Sequence, residues 1–184
     1  MARTMSDATD HPPHPLFAPW RMEYIRSLEK PDAGACFLCQ AAAAASDAER
    51  RERRERLVLW ATGESVVIIN RYPYTNGHLL IAPRAHKATL EELSDAEHLD
   101  LARQATRALR VLQRAISPQG FNLGTNLGRC AGAGVPGHLH QHVVPRWGGD
   151  TNFMSVVGEV RVVPQAMSQL YEELLAVKNA MLQQ

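Results

Sequence analysis

Seven residues constrain this chain more than any others: His138-Leu139-His140-Gln141-His142-Val143-Val144. Three histidines stand at a spacing of two, and two β-branched residues follow. In an extended strand, residues at i, i+2 and i+4 line one face. The spacing therefore predicts a strand with His138, His140 and His142 side by side, and Leu139, Gln141 and Val143 on the opposite face. Three imidazoles so placed could hold a metal ion or carry out nucleophilic and acid/base chemistry. As mere filling for a half-buried strand they are a poor choice, because each buried imidazole needs partners for two ring nitrogens. A catalytic zinc ion held by all three is disfavoured by geometry. Same-face residues on one strand lie almost in a line, about 6.5 Å apart per step of two.

The rest of the chain narrows the setting. Its 184 residues suit one domain with appendages. A net charge of +1 leaves no electrostatic case for bulk nucleic-acid binding. No apolar run approaches the roughly 20 residues that would span a membrane, and the polar stretch from Asp7 to Pro15 has no apolar signal core. The expectation is a cytoplasmic protein with neither nucleic acid nor membrane as partner. Three cysteines, two of them as Cys36-x-x-Cys39, suit metal binding or free thiols better than a disulfide framework.

The periodicities predict an α+β fold, with a mostly antiparallel sheet packed against one long helix and a further C-terminal helix. Residues 57–60 and 65–70 read as a hairpin turned near Thr62-Gly63-Glu64, and His78 to Pro83 as a third strand. Ser94 and Glu97 form a capping box, opening a helix that runs to about Ile116 with Leu99, Ala102, Ala105, Leu109 and Leu112 as its stripe. Phe121 to Leu127 is a strand, and residues 128–137 form a loop with four glycines. An edge strand is expected over Val156 to Val163, and a last helix over Gln165 to Leu182 with Met167, Leu170, Leu174 and Val177 facing inward. Upstream, Trp20, Tyr24 and Leu28 repeat as one helical face would. Ala41 to Arg56 has a helix-forming composition, and its charge run mixes acids with bases, as a solvated face does.

Several ordered elements resemble the histidine triad (HIT) superfamily of nucleotidyl hydrolases and transferases. They are Asn70-Arg71-Tyr72-Pro73-Tyr74 with Gly77-His78, Pro83-Arg84-Ala85-His86, the long helix, Asn126-Leu127-Gly128 with the glycine loop, and His138 through Arg146. Trp147 to Phe153 and Trp20 to Tyr24 resemble the branch of diadenosine tetraphosphate phosphorylases, near the fragile histidine triad hydrolases. The division this implies is a tail at 1–15, an N-terminal extension at 16–56, a HIT domain at 57–150 and a C-terminal extension at 151–184. Two departures stand out. Gln141 replaces an apolar residue, and Gly132-Ala133-Gly134-Val135-Pro136 lacks the hydroxyl or amide side chain that many members place before the triad.

What the resemblance implies is displacement at the α-phosphorus of a dinucleoside polyphosphate, with phosphate or water as the acceptor. His140 is the expected nucleophile and His142 its partner at the phosphate oxygens and leaving group. Backbone donors of Ala133, Gly134, Val135 and Pro136 are expected to meet the non-bridging oxygens. Asn70 is expected at the ribose, Asn126 beside the phosphates, and Ile69 with its strand neighbours in an apolar slot for the base. The resemblance also implies structural zinc on Cys36, Cys39, His86 and His138, with no organic cofactor, and a homodimer or larger homo-oligomer. A nucleotide-binding sensor without turnover and a hydrolase of nucleoside phosphoramidates are the alternatives.

Overall fold

The computed structural model describes residues 36–47, 50–150 and 165–183. The tail, the helical face through Trp20 and the strand expected at 156–163 lie outside the described residues. Four helices and five strands follow in order: α1 (Phe37–Asp47), α2 (Arg50–Glu55), β1 (Val58–Ala61), β2 (Ser65–Ile69), β3 (Leu79–Pro83), α3 (Asp95–Ile116), β4 (Gly120–Thr125), β5 (Gln141–Arg146) and α4 (Met167–Ala180). The strands form one antiparallel sheet in the order β1-β2-β3-β5-β4. This is the α+β architecture that the periodicities predict.

Alternation along the strands builds two different faces. Val67, Ile69, Leu79, Ile81 and Val143 pack with Leu101, Ala105, Ala108, Val111 and Leu112 of α3 and with Leu170, Tyr171 and Leu174 of α4. Val66, Ile68, Leu80 and Ala82 point the other way, onto Leu38, Ala41, Ala42 and Ala45 of α1. Every residue of β2 and β3 is consequently buried, so these strands read as continuous apolar runs. The α1 layer covers β1, β2 and β3. On β5, the same face carries His142, which pairs across from Leu80 on one side and Gly124 on the other.

The long helix starts as expected. Ser94 accepts from the Glu97 amide and Glu97 accepts from the Ser94 amide, so two orphan donors of the first turn are satisfied. Its buried stripe differs from the expected one. Leu99 is 51% exposed and Ala102 is exposed, whereas Glu97, Leu101, Gln104, Ala105, Ala108, Val111 and Leu112 face the sheet. Two polar residues can join that stripe because each finds a partner. Trp60 Nε1 donates to Gln104 Oε1 at 2.9 Å, and Lys87 meets Glu97. The face that α3 buries therefore includes positions that hydrophobicity alone does not mark.

Gly77 is the glycine the packing requires. Its φ is +78°, and a Cβ there would stand 2.5 Å from Ile116 Cδ1 and 3.0 Å from Leu112 Cδ2. The loop before β3 therefore lies flat against the end of α3 and delivers His78 into the sheet. No helix among the described residues is long and apolar enough to cross a membrane.

A candidate active site beside a candidate metal cluster

The triad is only partly a strand. β5 begins at Gln141, so His142 lies in the sheet while His138 and His140 lie in the segment that approaches it. The pairing with β3 stops at Gln141↔Ile81. Pro83 closes β3 and has no N–H to continue a ladder. The approaching backbone bonds elsewhere: the His138 amide donates to Val135 O and the Leu139 amide to Lys87 O. Freed from strict alternation, the three imidazoles enter three different surroundings.

His140 is 6% exposed, and its Nδ1 lies 2.8 Å from its neighbour's main-chain oxygen, His138 O. A carbonyl only accepts, so Nδ1 carries the proton and Nε2 keeps its lone pair. Burial, the largest cause, pushes the His140 pKa below the ordinary imidazole value, with the charge of His138 acting the same way. The ring is therefore neutral at pH 7 in the tautomer that makes Nε2 nucleophilic. The His140 and His142 rings meet edge-on with centroids 5.1 Å apart.

His142 is oriented by a residue to which sequence reasoning gave no role. His78 is fully buried, with Nε2 2.9 Å from His142 Nδ1. The Tyr74 amide donates to His78 Nδ1 at 3.0 Å, and the Asn70 carboxamide nitrogen lies 3.2 Å from the same atom. A backbone amide can only donate, so neutral His78 carries its proton on Nε2 and gives it to His142 Nδ1. His142 in turn holds its own proton on Nε2. The Tyr74 ring stacks on His142 at 5.9 Å and 18°. Asn70, expected at the ribose, thus also braces His78, while its Oδ1 accepts from the Tyr72 amide.

His138 turns away from the other two. It is fully buried, its Nε2 donates to Pro83 O at 2.9 Å, and its Nδ1 faces Cys36 Sγ at 3.2 Å and Cys39 Sγ at 3.4 Å. His86 Nδ1 lies 3.2 Å from Cys39 Sγ. The four ligand atoms all fall within 4.8 Å of one another. Two thiols and two imidazoles with that spread could hold a tetrahedral metal ion, and the bond from His138 to Pro83 is the outer-shell contact that fixes a ligating ring. Burial, together with the adjacent Cys36 thiol, pushes the Cys39 thiol up to about 11. A cation is what would make the pair ionise. Gly137 leaves room for this cluster, since a Cβ there would lie 3.3 Å from His86 Nε2.

The glycine loop answers the expectation in part. The Ala133 amide is already bonded to Gly128 O, and Pro136 has no N–H, so neither supplies a backbone donor. Among the described residues no carbonyl accepts from the amides of Gly134 or Val135. Asn126 donates to Gly132 O at 3.3 Å and so braces the loop. Of the strand expected to wall the base, Ile69 itself points to the α3 and α4 side, where it borders a cavity of about 230 Å³ with Met167 and Leu170. The reason is the alternation of β2, which turns Ile68 rather than Ile69 toward α1.

The family model for the HIT domain matches residues 51–149, more than half of the chain. This chain belongs to the HIT family. It is 44% identical over 108 residues to the AP-4-A phosphorylase of Mycobacterium tuberculosis (strain ATCC 25618 / H37Rv), covering 58% of this chain and 55% of that one. It is 32% identical over 89 residues to the asymmetrical bis(5'-nucleosyl)-tetraphosphatase of Schizosaccharomyces pombe, covering 48% of each. The chain spans about half the length of these curated relatives. Among solved structures, a Zn-bound histidine triad family protein from Mycobacterium smegmatis shares the fold with a TM-score of 0.63 and 22% identity, over 81% of this chain and 96% of that one.

Within the HIT fold, the signal that could have found His78 was present. It stands immediately before β3, in step with Leu80 and Ala82, and β3 lies beside β5. A polar residue opening an otherwise apolar strand asks for a partner on its neighbour.

Proposed function

We propose that this HIT protein cleaves dinucleoside polyphosphates of the diadenosine tetraphosphate type at the α-phosphorus, through a nucleotidyl group on His140. The observation that carries the reading is the bond from His140 Nδ1 to His138 O, which leaves Nε2 unprotonated and beside His142. The Nε2 lone pair attacks phosphorus, the bond to the bridging oxygen breaks, and that oxygen leaves with the electron pair as the larger nucleotide. His142, with its proton on Nε2, donates toward the oxygens that gain charge. The amides of Gly134 and Val135 are the loop donors suited to the non-bridging oxygens. Phosphate or water then attacks the nucleotidyl-His140, and the ring regains its starting tautomer. The names of the mycobacterial and fission-yeast relatives support this substrate class.

Zinc is the metal we propose for Cys36, Cys39, His86 and His138, and the donor set and its spread support it. When bound, the ion supplies a cross-link between the start of α1, the segment after β3 and the approach to β5, remote from the phosphorus. A cytoplasmic homodimer completes the proposal. The edge strand β4 supports it, since Leu123 and the nearby Leu127 are each 44% exposed.

Incubation with diadenosine tetraphosphate tests the reaction. ADP and ATP formed only with phosphate mean phosphorolysis; AMP and ATP formed without it mean hydrolysis. Tight binding with no turnover under either condition would replace the enzyme by a nucleotide sensor. Because burial lowers the pKa of His140, the rate should decline only as pH falls below the ordinary imidazole range.

A further inference from the structure

One peptide group links the nucleophile to a half-buried ion pair. The carbonyl of the 138–139 peptide accepts from His140 Nδ1 at 2.8 Å. The N–H of the same peptide donates to Lys87 O at 2.6 Å. The three groups form a chain, Lys87 C=O to peptide to imidazole, in which each bond polarises the next. Lys87 is itself anchored, with Nζ 2.8 Å and 2.6 Å from the Glu97 carboxylate oxygens. The Glu97 side chain is 7% exposed and also accepts from the Ser94 amide and hydroxyl in the first turn of α3. Leu139, between the two histidines, buries its side chain in the core under α3.

An ion pair whose carboxylate is buried is a costly way to hold two segments together. The capping box alone would start the helix, and it has no need of Lys87. The pair does add a fixed distance between the α3 N-terminus and the residue whose carbonyl clamps the 138–139 peptide.

We propose that Glu97 and Lys87 are positioning residues of the His140 reaction, acting through that peptide. This rests on the reading of His140 as nucleophile. As the bond from Nε2 to phosphorus forms, positive charge builds on the imidazole and the proton stays on Nδ1. The His138 carbonyl then meets a stronger donor, and the Lys87 carbonyl, at the far end of the chain, reinforces its negative end. No proton is lost and no group is transferred along the relay.

The test uses the full chain labelled with ¹⁵N-histidine. Glu97→Gln removes the charge and keeps a residue that completes a capping box. Lys87→Met leaves the capping box untouched, and Lys87→Arg restores the ion pair. Single-turnover formation of nucleotidyl-His140 from diadenosine tetraphosphate should slow roughly tenfold in Glu97→Gln and Lys87→Met, with binding of the unreacted dinucleotide unchanged within about twofold. Lys87→Arg should recover most of the rate. At fixed pH, the His140 Nδ1 proton should broaden or shift in the two slow variants and return in Lys87→Arg. Folded Glu97→Gln or Lys87→Met with the parent rate and the parent Nδ1 signal overturns the proposal, as does a Lys87→Arg as slow as Lys87→Met. If the parent itself forms no nucleotidyl-His140, the catalytic reading fails, and the Nδ1 signal still decides whether the ion pair reaches the ring.

Discussion

The two faces of the sheet come from one alternation and serve different ends. Toward α3 and α4, the strands present Val67, Ile69, Leu79, Ile81 and Val143, which need only apolar neighbours of suitable size. On the opposite face, α1 covers Ile68 and Leu80, but His78, just before β3, and His142, on the neighbouring β5, take the same face. There both nitrogens of His78 and Nδ1 of His142 meet a specific partner. One face tolerates exchange of shape at a cost in stability. The other tolerates little change in chemistry, whatever its stability. Substitutions on the two faces should therefore separate cleanly.

The widest separation is expected between His140→Ala and Leu112→Ala. Removing the proposed nucleophile should lower turnover of diadenosine tetraphosphate by about 10³-fold or more, an effect of about 4 kcal/mol on the barrier. Stability should change by only about 1 kcal/mol in either direction. Leu112 is fully buried between α3 and the sheet, and its truncation should cost about 3 kcal/mol in urea unfolding, with turnover per folded molecule retained. If Leu112→Ala instead lost activity in the fully folded protein, the faces would not be independent.

The candidate metal cluster sharpens the comparison, because an ion held there would join α1 to the histidine segment. Cys39→Ser should abolish stoichiometric zinc in the purified protein and lower the unfolding free energy by about 2–3 kcal/mol. A chelator should reproduce the loss of stability in the parent and do nothing further to the variant. Unchanged metal content in Cys39→Ser would remove that residue from the ligand set. The spacing of Cys36 and Cys39 marked them as a candidate ligand pair, the resemblance to the HIT superfamily added His86 and His138, and the fold brings the four together.

Other features were less legible for definable reasons. The stripe of α3 was misplaced because Glu97 and Gln104 are buried by virtue of Lys87 and Trp60, partners supplied by other segments. A period of two predicts one strand for the triad, yet the ladder with the neighbouring strand, which Pro83 closes, ends at Gln141. In both places a contact remote in sequence overrode a sound local pattern.

Glu97 offers a pH test of that remote contact. The Lys87 ammonium, followed by the Ser94 amide, holds the Glu97 carboxyl down at about 2, against 4.5 for an ordinary glutamate. The folded protein binds this proton less readily than the unfolded chain does. The stabilisation is therefore complete above about pH 4.5 and drains away as pH falls toward 2. Urea midpoints at pH 6 and pH 3 should show the parent losing on the order of 2 kcal/mol more than Glu97→Gln over that interval. Equal losses would mean that the ion pair does not persist in solution.

The smallest expected effect concerns Gln141, the departure from the apolar residue usual between the second and third histidines. It lies opposite Ile81 and Thr125, and so on the α3 side of the sheet, away from His142. Its Oε1 is buried and, among the described residues, no hydrogen-bond donor reaches it. A carbonyl oxygen in that position has given up water without replacement, at a cost of about 1–3 kcal/mol. Gln141→Leu removes the oxygen and extends the apolar face, so it should raise stability by about 1 kcal/mol and leave turnover unaltered. Thermal unfolding with parallel turnover measurements checks both halves. A loss of stability instead would mean that the carbonyl has a partner in the working assembly. Sedimentation of Gln141→Leu against the parent would then identify that partner as a second copy if the proposed dimer weakened with the fold.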